Sequence, residues 1–450
     1  MHHKRLLQWA AAAACLFAAV QARAILPIEH WQTSGGARVY FVENRDLPLL
    51  DISVEFPAGA GYDTRDKSGA ASMTNQLLRL GAAGMDENEI AGRLADVGAQ
   101  LGSRFDTDRA GLVLRTLSSM PERRQALEVF AGVLQRPQFP ETVLEREKAR
   151  LIGALKEADT KPETIAALTF YRLLYRDHPY ALRAAGEVET VSKLTRQDLV
   201  DFYRRHYVIQ RAVVAIIGDV SRSEAAAIAE AVTVGLPRSA GTEPSLPPVP
   251  ALAAGSTRII AHPASQSHIL IGAPGIRRDD PDYFALFVGN HVLGGGGFVS
   301  RITEEVRQKR GLAYSAYSQF SPLLRQGPFL IGMQTRREQT QEALAVVHKT
   351  LREFVAEGPT EKELVAAKQN LVGSFPLRID SNRKIHEYLA LIGFYRLPLT
   401  YLDDFVKNVE RVTAADIRDA FARRIDPDRM VTVVVGAAES KTVMSASSRD

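Results

Sequence analysis

The chain has 450 residues, 46% hydrophobic and 24% charged, with a formal net charge of +4 and a single cysteine. Lys4, Arg5 and Arg23 account for most of the excess: without them, 56 basic residues become 53, against 52 acidic ones. A balance this close to neutral, with no dense basic run, argues against a nucleic-acid partner, and one cysteine leaves no disulfide and no cysteine metal site.

Residues 1–24, MHHKRLLQWAAAAACLFAAVQARA, place Lys4 and Arg5 ahead of an apolar run from Leu6 to Val20 and end on Ala22-Arg23-Ala24. That is the pattern of a secretory signal peptide, so a mature chain beginning near Ile25 and exported to a periplasm is expected. The run is shorter than the roughly 20 residues of a membrane span, and no later stretch is as apolar, so no membrane anchor is expected. Cys15, followed by Leu16 and Phe17, belongs to the core of this leader.

Two strand patterns follow, ARVYFVEN and LLDISVEF, and then Gly69 to Gly84, GAASMTNQLLRLGAAG, opens a helix. GAQLGSRF, Gly98 to Phe105, reads as a strand at a sheet edge. Apolar residues spaced by three and four, such as Leu127, Phe130, Val133 and Leu134, mark the helices beyond it. The first half closes on the β run VVAIIG. A segment rich in proline and small residues, Gly235 to Ser256, then reads as an extended, semi-rigid linker. After it, TRIIAH and SHILIGAP are strands, helical patterns follow, and VTVVVG closes the second half.

The halves repeat. QALEVFAGVLQRPQFPETVLEREKARLIGAL from Gln125 matches EALAVVHKTLREFVAEGPTEKELVAAKQNLVGSF from Glu342. LTRQDLVDFYRRHY from Leu194 matches VTAADIRDAFARRI from Val412, pairing Thr195, Asp198 and Gly218 with Thr413, Asp416 and Gly436. Two blocks at nearly one offset point to two copies of one fold. Thr195 and Thr413 each start a helix in a capping-box pattern with Asp in place of Glu. Strands grouped with helix pairs, without strict βαβ alternation, predict α+β domains with mostly antiparallel sheets.

Taken in order, the strand pair, AGAGYD, the helix from Ser68, EREKARLIGALKEADTKPE, YRDHPYA, IIGD, GGGGFVSRITEEVRQKRGLAYSAYS and FPLRIDSNRK resemble the pitrilysin/insulinase (inverzincin) zinc metallopeptidases over nearly the whole mature chain. The resemblance implies an N-terminal peptidase-like domain (25–236), a Pro-rich linker (237–256) and a homologous C-terminal domain (257–450). It also implies a LuxS/mitochondrial processing peptidase-like fold closing as a clamshell around a chamber, with substrates adding as a strand at the Gly98–Phe105 edge.

Catalytic members carry HxxEH, which places two zinc-binding histidines and a general-base glutamate on one helix face. Here that motif falls on Ser72, Asn75 and Gln76, and the position of the third ligand, near 152–154, has no acid. Neither a hydroxyl nor an amide can replace imidazole at zinc or act as a base near neutral pH. The expectation is therefore no metal bound by this chain, with Ser72, Asn75 and Gln76 forming the polar face of an amphipathic helix. Glu147 and Glu157 are the nearest acids to the expected third position. The remaining histidines give no i, i+3 or i, i+4 pair, and His262 with His268 reads as a surface or capping pair.

In VRQKRGLAY, Arg307 and Tyr314 match an Arg/Tyr pair that the family's C-terminal half contributes to the active site. Both are hydrogen-bond donors able to hold a peptide carbonyl or an oxyanion. Gly295, Gly296 and Gly297 are candidate peptide contacts by the same resemblance; by themselves they predict only a turn or a close backbone approach. The functional expectation is a non-catalytic subunit of an exported heterodimeric zinc endopeptidase. It would bind peptides and donate Arg307 and Tyr314 to the zinc site of an HxxEH-bearing homologous partner. The alternative is a stand-alone peptide-binding or scaffold protein of the same fold.

Overall fold

A computed structural model describes residues 27–238, 241 and 244–436; the leader and residues 437–450 lie outside the described residues. The first half contains β1 (Glu29–Gln32), β2 (Arg38–Glu43), β3 (Leu49–Phe56), β4 (Gly81–Ala82), β5 (Met85–Asp86), β6 (Gln100–Phe105), β7 (Ala110–Leu117) and β8 (Val213–Gly218). The second contains β9 (Ser256–Ile260), β10 (Gln266–Pro274), β11 (Ala313–Phe320), β12 (Pro328–Arg336) and β13 (Val431–Val435). Among the described residues no helix is long and apolar enough to cross a membrane.

The repeat seen in the sequence is a repeat of topology. The first sheet runs β1-β2-β8-β3-β7-β6 and the second, read from its far edge, β9-β13-β10-β12-β11. Without β1, the two orders coincide strand for strand. Each also contains a single parallel pair, β2 with β8 and β9 with β13, amid antiparallel neighbours. Both capping boxes form: Thr195 and Thr413 accept from the backbone N–H of Asp198 and Asp416, whose carboxylates accept from the threonine N–H in return. Gly218 (φ 153°) and Gly436 (φ 118°) end the two closing strands, where a Cβ would lie 2.2 Å from Leu49 O and 2.5 Å from Gln266 O. Only glycine fits both the conformation and the space.

The halves are joined by exchanged helices. Pro162–Tyr175, from the first half, packs on β10 and β13; Asn382–Tyr395, from the second, packs on β8, β3 and β2. Glycines let these backbones and rings approach: a Cβ on Gly272 would meet the Phe170 ring at 2.8 Å, and one on Gly393 the Tyr40 ring at 2.6 Å. Polar bonds fix the register, from Arg38 Nη1 to Gly393 O (3.0 Å) and between His386 Nε2 and Ala215 O (3.2 Å). Burying aromatics such as Phe170 and Tyr175 in this seam contributes about 1.5–3 kcal/mol for each such side chain.

Asp108, fully buried in the turn between β6 and β7, ties the seam. It accepts from Tyr180 Oη (2.6 Å) in its own half and from Leu324 N (2.7 Å) and Tyr395 Oη (2.9 Å) in the other. Burial raises its carboxyl above the usual carboxylate range, and the three donors act against that shift. The described part of the linker is not a free spacer either. Leu246 and Leu252 are buried in the core, and the carbonyls of Leu246 and Pro247 bond Arg325 Nε (2.7 Å) and His178 Nε2 (3.0 Å).

Candidate functional site

The helix Ala70–Leu77 carries the three positions expected of a zinc motif. Asp63 fixes its start, one carboxylate oxygen accepting from Gly69 N and the other from Ala71 N, each at 2.8 Å. Burial lifts the Asp63 pKa to about 7 against those two bonds. Ser72 Oγ turns back to Gly69 O at 3.1 Å. Asn75 is buried and donates to Gly111 O (3.1 Å) and to Tyr207 Oη (3.3 Å). Of the three positions read as the polar face of this helix, Asn75 turns inward and holds the helix to β7.

Gln76 Nε2 donates to Glu147 Oε2 at 2.6 Å. Glu147 lies on the helix Glu141–Ala158, is buried, and also pairs with Arg150 Nη2 (2.7 Å) and Arg146 Nε (3.1 Å). The acid facing the degenerate motif therefore stands five residues ahead of the stretch 152–154 that spacing indicated. A count along the chain does not register the length of the loops and helices crossed on the way. Zinc does not fit this donor set. The amide hydrogens of Gln76 and two guanidinium groups occupy the carboxylate that a cation would need, and the only oxygen at Ser72 is bonded within its own helix. Among the described residues no group of three His, Cys, Asp or Glu could hold a metal. His262 has a structural partner, with Nε2 at 3.0 Å from Thr160 O and Nδ1 accepting from Ala264 N.

The second half forms an open groove of about 490 Å³. Gly294, Gly295, Gly297, Phe298, Arg307 and Tyr314 are among its lining residues. Two π-helical turns, His291–Gly295 and Glu304–Gln308, carry its walls; such turns recur at functional sites because the extra residue redirects side chains. Between β11 and β12 the register passes from Ala313 opposite Thr335 to Ser315 opposite Gln334. Tyr314 is thus the unpaired residue of a β-bulge, which throws its ring outward to 80% exposure. The Arg307 guanidinium carbon stands 4.7 Å from the centroids of both the Tyr314 and Phe298 rings.

The structure brings Arg307, Tyr314, Gly295 and Gly297 together. Gly296 is not among the lining residues; its Cα is packed so close to His291 that a Cβ would lie 2.6 Å from His291 O. Ser72, Asn75 and Gln76 do not line the groove either. The edge at Gly98–Phe105 is β6, paired only with β7 and largely accessible. Sequence reasoning missed Phe298, although it sits in the same block as the glycines, and missed Asp108, whose partners are distant along the chain; it named Glu147 beside Glu157 without its bond to Gln76.

Two family models match, Insulinase (Peptidase family M16) over residues 39–187 and Peptidase M16 inactive domain over 193–371. The chain belongs to the M16 peptidase family. The second half matches the model described as the M16 inactive domain, and the first half carries Ser72, Asn75 and Gln76 at the positions of the zinc motif. A Helicobacter pylori protein described as "Non-peptidase homolog YmxG" is 26% identical over 85% of this chain and 87% of its own. A Pseudomonas fluorescens crystal structure described as a peptidase M16 inactive domain superposes with a TM-score of 0.89 at 37% identity, covering 93% of this chain and 99% of that one. The periplasmic protease PqqL from Escherichia coli shares the fold (TM-score 0.78, 15% identity); the match covers 92% of this chain but 46% of that one.

Proposed function

We propose that this chain is the non-catalytic subunit of an exported, heterodimeric M16 endopeptidase. A homologous subunit bearing HxxEH supplies zinc and the general base. This chain supplies peptide-binding surface and places Arg307 and Tyr314 against the carbonyl being attacked, where their N–H and O–H groups stabilise the developing oxyanion. The observation that carries the reading is the contrast within one chain. The zinc helix is closed by the Gln76–Glu147 bond, while Tyr314 is turned out on a bulge beside an Arg307 that has no acidic partner among the described residues. Support for pairing comes from the Escherichia coli protease, whose single chain has room for two units of this size. The leader pattern supports export.

The test is purification of the tagged mature chain from its native periplasm, followed by peptidase assays on whatever co-elutes. An equimolar partner of similar mass with HxxEH is expected. In the complex, Arg307→Ala and Tyr314→Phe should each lower kcat by about 10²-fold with assembly intact. Unchanged turnover in both variants would remove the shared site. A chain that elutes alone and still binds peptides would instead be a stand-alone peptide-binding protein.

A further inference from the structure

Arg307 differs from the other cations of its segment. Arg301 pairs with Glu363 (2.6 Å), and Lys309 and Arg310 both pair with Glu305 (2.6 Å each). The Arg307 side chain alone has no hydrogen-bond or ion-pair partner among the described residues and rests beside two aromatic rings. No Asp, Glu, Lys or His lines the groove, so its ionic character is that of one guanidinium whose planar fork is held by stacking and otherwise open. The rings beside it are unusually accessible, Phe298 at 63% and Tyr314 at 80%.

The neighbouring strand edge is partly occupied. Asn290 Nδ2 donates to Ser318 O (3.1 Å), Thr303 Oγ1 donates to Ala316 O (3.0 Å), and the Gly294 backbone packs so near Ser318 N that a Cβ would stand 2.4 Å from it. The Ala316 and Ser318 carbonyls of β11 are therefore already bonded and interrupt the ladder that a peptide added as a strand would need. What remains is a cation with a bidentate geometry and two apolar faces.

Building on the peptide-binding role proposed above, we infer that this groove captures the free C-terminal carboxylate of a peptide ending in an apolar or aromatic residue. The carboxylate takes both arms of the Arg307 fork, and the last side chain packs against Phe298 and Tyr314. A chain end presents two carboxylate oxygens to the fork, where an internal carbonyl presents one.

The test uses the full mature chain and fluorescein-labelled hexapeptides ending in Phe, as free acid and as amide, read by fluorescence anisotropy. The free acid should bind at least about tenfold tighter than the amide. Arg307→Gln should abolish that difference, with an unchanged melting temperature excluding misfolding. Equal binding of acid and amide would overturn the inference while leaving the peptide-binding role intact. An amidated peptide with an internal Glu that binds as tightly as the free acid would also overturn it, assigning the fork to acidic side chains. If neither peptide binds, and Tyr314 is protected from iodination only when the partner subunit is present, the groove is a subunit interface. In that case both the inference and the peptide-binding role fall.

Discussion

The two halves of this chain carry the same sheet and opposite specialisations. In the first, the helix beside the sheet is sealed: Gln76 holds Glu147, Asn75 is buried against β7, and the exposed feature is the bare edge of β6. In the second, Asn290 and Thr303 take two carbonyls of the strand edge, and what is exposed is the side-chain chemistry of Arg307, Phe298 and Tyr314. Duplication supplies two copies of every surface, and here the two copies present different ones. The lesson is that loss of the metal motif did not leave a vacancy to be filled at random. Its acid is held by an amide and two guanidinium groups, so no buried carboxylate is left unpaired.

The largest expected change comes from reversing that closure. The variant Ser72→His with Gln76→His places two imidazoles one helical turn apart and removes the amide from Glu147, leaving a potential His₂Glu set. It should pass from no specific zinc to one zinc per chain by mass spectrometry of the metal, and adding Glu147→Gln should lower zinc affinity by at least about tenfold. If the double variant takes up no zinc, Arg146 and Arg150 keep the carboxylate away from the helix, and the likeness of this half to a catalytic one ends at the backbone.

A second test asks whether the halves are separable at all. Removing the Asp108 carboxylate by Asp108→Ala leaves the Tyr180 and Tyr395 hydroxyls and Leu324 N without their acceptor in the seam, at a cost of about 3–5 kcal/mol. Asp108→Asn, which keeps one of the two acceptor oxygens and abolishes the burial of a charge, should cost less. Denaturant unfolding should remain a single transition in both variants, because each half's sheet is covered by the other's helix. Two resolved transitions in Asp108→Ala would mean that the exchanged helices do not couple the halves and that the comparison is between two domains.

Much of this arrangement was legible in the sequence, and the boundary has a physical basis. The repeat could be read because its markers are local: a threonine and an aspartate three residues apart, or a glycine ending an apolar run, declare themselves within a few residues. The absent zinc ligands were readable for the same reason. Long-range features were not. Nothing within Pro162–Tyr175 or Asn382–Tyr395 says which sheet each will cover, since an amphipathic face specifies a partner's apolarity and not its address. The bulge at Tyr314 was hidden because AYSAYS repeats every three residues and has no period-two alternation whose break would mark the extra residue. The Gln76–Glu147 contact was hidden by the intervening helices, whose lengths set where position 147 returns.

The smallest predicted effect measures how far equivalence of the halves extends. Thr195→Ala and Thr413→Ala each remove a cap with the same reciprocal geometry and should each cost about 1 kcal/mol. They should not be quite equal. Asp198 also pairs with Lys67 from the loop before the Ala70–Leu77 helix, whereas Asp416 has no ion-pair partner among the described residues. Lys67 keeps the Asp198 carboxylate ordered when the threonine is gone, so Thr195→Ala should be the milder loss by a few tenths of a kcal/mol. Because that difference is a surface ion pair, about 1 M salt should remove it in denaturant unfolding. A difference that survives salt would place its origin in packing, and the two caps would then be alike in hydrogen bonding only.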